Sequence, residues 1–123
     1  MLTQRQRSGR QAEELAAAFL TAAGCEILRR NYRCRLGELD IVARHGGVLV
    51  VAEVRTRASS RYGGAAASVD RVKQRRIARA AAALLAERRD LARLPVRFDV
   101  IVVSDPCGPV PALEWIRHAF ITA

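Results

Sequence analysis

The stretch Val48-Leu49-Val50-Val51-Ala52 is apolar without a break, and the residue that follows it is a carboxylate, Glu53. A run of this kind reads as a strand buried on both faces, extending here over Val48 to Arg55. Such a strand constrains the fold strongly, because both faces of its sheet must be covered. Upstream, Leu36 to Arg44 reads as a second strand, with Leu39, Ile41 and Ala43 alternating against Glu38, Asp40 and Val42. The His45-Gly46-Gly47 turn between the two predicts a β-hairpin. Pairing about that turn brings Asp40 opposite or near Glu53, and period-2 alternation puts Glu53 and Arg55 on one face.

The remaining elements follow from periodicity. Ala12, Leu15, Ala16, Phe19, Leu20 and Ala23 recur at helical spacing, with Ser8 as N-cap and Gly24 as a left-handed C-terminal cap. Residues 1–8 read as a flexible basic arm. Ile27-Leu28 marks a first strand within Cys25 to Arg33. Thr56 to Ala67 reads as a loop. Ser68 then caps a second helix, helped by Asp70, that runs to about Arg89 with a stripe of Val69, Val72, Ile77, Ala80, Ala81, Leu84 and Leu85. Phe98 to Val103 is another buried strand, and Leu113 to Ile121 a short edge strand. The expected architecture is α/β, an αβββαβ core with a central mixed sheet flanked by helices. The 123 residues form one domain, with no repeat and no linker.

Composition narrows the partner. The formal net charge is +9, which favours a polyanion such as nucleic acid. Lysine and arginine together number 21, and Lys73 is the sole lysine. No apolar run approaches the roughly 18 residues of a membrane span, and no secretory signal is visible. Three cysteines without C-x-x-C spacing fit a reducing, cytoplasmic setting rather than a disulfide framework.

A carboxylate within an apolar strand needs a partner or a metal. Two hard oxygen donors on adjacent strands, Asp40 and Glu53, suit Mg²⁺ or Mn²⁺. The competing reading pairs both with Arg55 and neighbouring arginines. Glu38 and Asp99 read as structural partners, Glu13 and Glu14 as solvated charges, and His45 and His118 carry no assigned role. Candidate phosphate contacts are Arg5, Arg7 and Arg10 near the N-terminus, Arg57 and Arg61 in the loop, and Arg71, Arg75, Arg76 and Arg79 on the second helix.

The runs Gly37-Glu38-Leu39-Asp40-Ile41-Val42-Ala43 and Val51-Ala52-Glu53-Val54-Arg55-Thr56-Arg57 resemble the YraN family of small bacterial proteins. Gly9 with Ala12-Glu13, Arg30-Asn31, Tyr62-Gly63, Val69 with Lys73, Arg97-Phe98-Asp99-Val100 and Ala119-Phe120 extend the match along the chain in order. That family is similar to the PD-(D/E)xK nucleases and Holliday-junction resolvases, so the resemblance implies a restriction-endonuclease-like fold. It implies catalytic roles for Asp40, Glu53, Arg55 and Glu13, and metal ligation by Asp40, Glu53 and Val54. Arg57, Arg61, Lys73 and Arg76 are the nucleic-acid contacts expected. A homodimer follows by analogy with resolvases that pair to cut two strands.

One departure bears on activity. The family pattern has lysine where this chain has Arg55. Arginine stays protonated and cannot act as a base, though it can hold a phosphate. Lys73 is the alternative source of a lysine at the site. The expected function is therefore a metal-dependent endonuclease acting on DNA, branched or single-stranded forms being considered. The alternative is a catalytically impaired DNA-binding or accessory protein with the same fold. A basic RNA-associated protein accounts for the charge but not for Glu53.

Overall fold

The computed structural model describes residues 1–57 and 68–121. Helix α1, Gln4–Ala22, is followed by strands β1 (Glu26–Cys34), β2 (Gly37–His45) and β3 (Val48–Arg57). Helix α2, Arg71–Glu87, and a short 3₁₀ turn, Arg89–Leu91, lead to β4 (Val96–Ser104) and β5 (Ala112–Phe120). The strands lie side by side in chain order. Every neighbouring pair is antiparallel except β3 and β4, which run parallel from Leu49↔Val96 to Arg57↔Ser104. A parallel pair needs a crossover, and α2 supplies it. The result is the αβββαβ, restriction-endonuclease-like α/β core read from the sequence, with β5 as a full nine-residue edge strand.

Each face of the sheet has its own core. Val50 and Ala52 of β3, with Ile41, Ala43, Ile101 and Val103, pack under Ala12, Ala16, Ala17 and Leu20 of α1. Leu49 and Val51, with Val42, Val100 and Val102, pack under Ile77, Ala80, Ala81 and Leu84 of α2. Alanines at the helix contacts allow close approach to a sheet of β-branched residues, which is how a chain with few aromatics fills its interior. Truncating a fully buried side chain such as Leu20 to alanine costs about 2–5 kcal/mol.

Three boundaries and one buried position differ from the sequence reading. The basic arm is helical: Thr3, not Ser8, caps α1, and Thr3 and Gln6 exchange both hydrogen bonds of a capping box. Asp70, not Ser68, caps α2, its carboxylate accepting from the backbone N–H of Lys73 at 2.8 Å. Thr56 and Arg57 continue β3 instead of opening the loop, because β4 pairs along its whole length. Val72 is 55% exposed, since the first turn of α2 overhangs a groove instead of the sheet. Gly24 does cap α1 in the left-handed region, with φ of 95°. Cys25 N–H bonds Leu20 C=O and Gly24 N–H bonds Thr21 C=O, the two bonds of a Schellman motif.

Candidate functional site

The site arises where two paired strands part. β2 and β3 form a regular ladder from the two-residue turn at Gly46-Gly47 as far as Ile41↔Ala52, and there the pairing stops. Asp40 and Glu53 stand one step beyond the last pair, so they face each other across an opening fork. The β1–β2 ladder is disturbed at the same level. It runs from Arg30↔Ile41 to Tyr32↔Leu39, and Asn31 between them adopts φ of 52°. Asparagine tolerates this left-handed conformation better than most residues. The alternation expected along β2 fails here: Leu39 joins the core under α2, while Ile41 and Ala43 stay under α1.

The fork is held by a side chain where the ladder would continue. Asp40 Oδ2 accepts the backbone N–H of Val54 at 2.8 Å. Strand geometry points the N–H and C=O of one residue to the same side, so the Val54 carbonyl is also directed into the fork. Burial pushes the Asp40 carboxyl up to about 7. The Glu53 charge adds to this, the Val54 hydrogen bond opposes it, and Glu13 contributes a smaller push upward. A buried carboxyl whose proton affinity is raised by a second carboxylate beside it is the arrangement a cation relieves.

Glu53 is buried, and its partner is not an arginine. Lys73 of α2 places Nζ 2.8 Å from Glu53 Oε1. The position of Lys73 follows from the cap: with Asp70 fixed at the helix start, Lys73 is the third helical residue and faces the strand ends. Gly37 permits the approach of α2 to the β1–β2 turn, because a Cβ there would lie 2.7 Å from the backbone oxygen of Arg76.

These groups line one cleft of about 480 Å³. Asp40, Glu53, Val54, Arg55 and Thr56 form its floor, Arg5, Gly9 and Glu13 of α1 one wall, and Lys73 and Glu38 the other. Past Glu38 and Lys73 it meets a second groove of about 520 Å³ that reaches Arg33 and Arg76. Arg55 has no ion-pair partner among the described residues, which leaves its guanidinium available to the cleft.

The fold thus brings together Asp40, Glu53, Val54, Arg55, Glu13 and Lys73. Glu13 stands on the opposite wall, and among the described residues no group of three or more His, Cys, Asp or Glu converges tightly enough for metal binding. Two carboxylates with a backbone carbonyl nonetheless suit Mg²⁺, which takes one or two carboxylates and completes its shell with water and phosphate. Arg76 lies in the neighbouring groove. Arg57 is elsewhere, its Nε donating to Ser104 Oγ at 2.9 Å. Arg61 and Tyr62-Gly63 lie outside the described residues. Glu38 pairs with Arg33 and Glu14 with Arg30, as structural or surface charges do.

Two contributors were underweighted in the sequence. Lys73 carries a signal: it is the sole lysine in a chain otherwise written in arginine, and the two cations are not interchangeable. Arg5 stood among the phosphate contacts and Gly9 in the family match, but reading the N-terminus as an arm concealed the helix that carries them, although Thr3-x-x-Gln6 is a capping-box pattern.

Comparison with known proteins gives the chain its family. The family described as "Uncharacterised protein family UPF0102" matches residues 12–103. A UPF0102 protein of Methylococcus capsulatus is 50% identical over 112 residues, covering 91% of this chain and 89% of its own length. One of Frankia casuarinae is 53% identical over 113 residues, covering 91% and 94%. One of Stutzerimonas stutzeri is 43% identical over 119 residues, covering 97% and 98%. The resemblance to YraN proteins seen in the sequence is therefore borne out over nearly the whole chain. Among the described residues, no helix is long and apolar enough to cross a membrane.

Proposed function

We propose that this chain, which belongs to the UPF0102 family, is a metal-dependent phosphodiester hydrolase acting on nucleic acid, DNA being the favoured substrate. The observation that carries the reading is the meeting of Asp40 and Glu53 at the β2–β3 fork with Lys73 Nζ 2.8 Å from Glu53. Asp40, Glu53 and the Val54 carbonyl would hold Mg²⁺ or Mn²⁺. When bound, such a cation neutralises phosphate charge and acidifies water.

The protein's own groups have separate tasks in this reading. Lys73 replaces the lysine missing at position 55: its ammonium, held by Glu53, orients the attacking water and the scissile phosphate. Water adds to phosphorus in line, the bond to the departing nucleoside oxygen breaks, and the products are a phosphate monoester and a hydroxyl. Arg55 holds a non-bridging phosphate oxygen and steadies the charge that grows there. Arg76, in the adjoining groove, meets a neighbouring phosphate.

A nuclease assay tests this. Purified protein is incubated with single-stranded, duplex and four-way-junction DNA in Mg²⁺ or Mn²⁺, beside Asp40→Ala, Glu53→Ala and Lys73→Ala. Metal-dependent cutting lost in all three variants is the expected result. Binding without cutting, indifferent to metal, supports the rival reading of a non-catalytic DNA-binding protein, which the lysine-to-arginine departure at position 55 favours.

A further inference from the structure

We propose that the Arg5–Gly9–Glu13 face of α1 is the passage for one nucleic-acid strand, whose sugar–phosphate backbone crosses the helix at Gly9 while a phosphate meets Arg5. The inference rests on the nucleic-acid reading above and adds the strand's path and its single-stranded form.

Residues four apart on a helix share a face, so Arg5, Gly9 and Glu13 form one stripe. All three line the cleft whose floor holds Asp40, Glu53 and Arg55. The stripe is ordered to its first turn, because the Thr3–Gln6 capping box closes the helix just ahead of Arg5. Gly9 is the unusual member. A glycine inside a helix costs stability relative to alanine, and this one is not required by packing. A Cβ built on it meets no atom within 4 Å, and its backbone is helical, not left-handed. What glycine supplies at such a place is a low saddle in the cleft wall, where another backbone can approach closely.

The charges on either side set the direction. Arg5 is exposed and, among the described residues, without an ion-pair partner. Arg55, half-buried across the cleft, likewise has no ion-pair partner among the described residues. Glu13, one turn deeper, adds to the negative charge around Asp40. A phosphate therefore settles near Arg5 and is turned away from Glu13, which lays the strand across Gly9. The cleft, about 480 Å³, is in the size range of a small-ligand site, which favours a single strand over a double helix.

The test separates stability from binding. Fluorescence anisotropy of a short labelled single-stranded DNA, and of the same sequence as a duplex, is measured with EDTA present so that no cutting intervenes. The proteins are wild type, Gly9→Ala, Gly9→Leu and Arg5→Ala. Gly9→Ala raises Tm by about 3 °C, since alanine is the better helix former and nothing obstructs it. Gly9→Leu retains at least the wild-type Tm yet weakens single-strand binding by about tenfold, the equivalent of roughly one good contact. Arg5→Ala weakens binding and lowers the salt slope by about 0.7, the signature of one lost phosphate contact to a single strand.

Unchanged binding in both Gly9→Leu and Arg5→Ala overturns the passage and leaves the nuclease reading standing. A loss confined to the duplex overturns it equally. A fall in Tm with Gly9→Ala makes Gly9 a packing glycine and also overturns it. If Gly9→Leu does not fold, Arg5→Ala decides through its salt slope. Wild-type protein that binds neither DNA removes both the passage and the reading on which it rests.

Discussion

Asp99 and Asp40 are carboxylates of the same sheet, and their surroundings treat them in opposite ways. Asp99 is fully buried and fully answered: Arg97 donates through Nε and Nη2, Trp115 through Nε1 at 2.8 Å, and His118 through its backbone at 2.9 Å. It pins the irregular end of β5, where the register shifts between Phe98 and Val100. Asp40 receives one backbone N–H, and its nearest charged neighbour is another carboxylate. A buried charge with built-in donors on all sides is a structural fastener. A buried charge left beside a like charge, at the mouth of a cleft, is unsatisfied by the protein alone and invites an outside partner.

The contrast can be broken experimentally, beginning with the largest effect. Asp99→Ala leaves Arg97 and the Trp115 N–H without their acceptor and is expected to cost about 3–5 kcal/mol, read from urea unfolding. A loss below about 1 kcal/mol would remove the distinction between the two regions. Lys73→Ala is expected to lower DNA cleavage by about 10²–10³-fold, the usual range for removing a group that stabilises transition-state charge. Lys73→Arg retains the charge and is not expected to recover the rate, whereas Arg55→Lys is expected to change it little. Recovery by Lys73→Arg would reduce Lys73 to a counter-charge for Glu53.

Gly37→Ala is a milder test of how α2 is held over the fork. Its new methyl meets the Arg76 backbone, so a cost of about 1–3 kcal/mol is expected, with a matching fall in Tm. Asp40→Asn has the smallest effect and the opposite sign. It retains an acceptor for the Val54 N–H while removing the repulsion with Glu53, so stability is expected to stay level or rise by up to about 1 kcal/mol. Wild-type Tm is expected to rise with added Mn²⁺ through mass action, and Asp40→Asn to lose that response.

Titration sharpens the same point. The folded Asp40 carboxyl titrates near 7, above its ordinary 3.8, so between these values the folded state holds a proton that the unfolded chain has released. Its contribution to stability is present below about pH 4 and is lost as pH rises through 7. Without divalent cations, unfolding free energy followed against pH is expected to show this decline in wild type and not in Asp40→Asn.

Much of this was legible in the residues themselves. The apolar run ending in Glu53, the turn at Gly46-Gly47 and the helical stripes each depend on short-range periodicity, which a linear sequence records directly. The proximity of Asp40 and Glu53 followed from counting away from the turn. What counting could not see was the fork, because it assumes that pairing continues. The break past Ile41↔Ala52, and the Asp40 side chain that replaces the ladder at Val54, move Leu39 to the other core.

Element order, the two-sided burial of β3 and the carboxylates at one level of a hairpin are all written in the chain, since they follow from local alternation and turn chemistry. Which cation answers Glu53 is set by packing between distant elements. Lys73 lies twenty residues downstream on another element, and its arrival depends on the packing of α2 and the clearance at Gly37, long-range contacts that no spacing rule encodes.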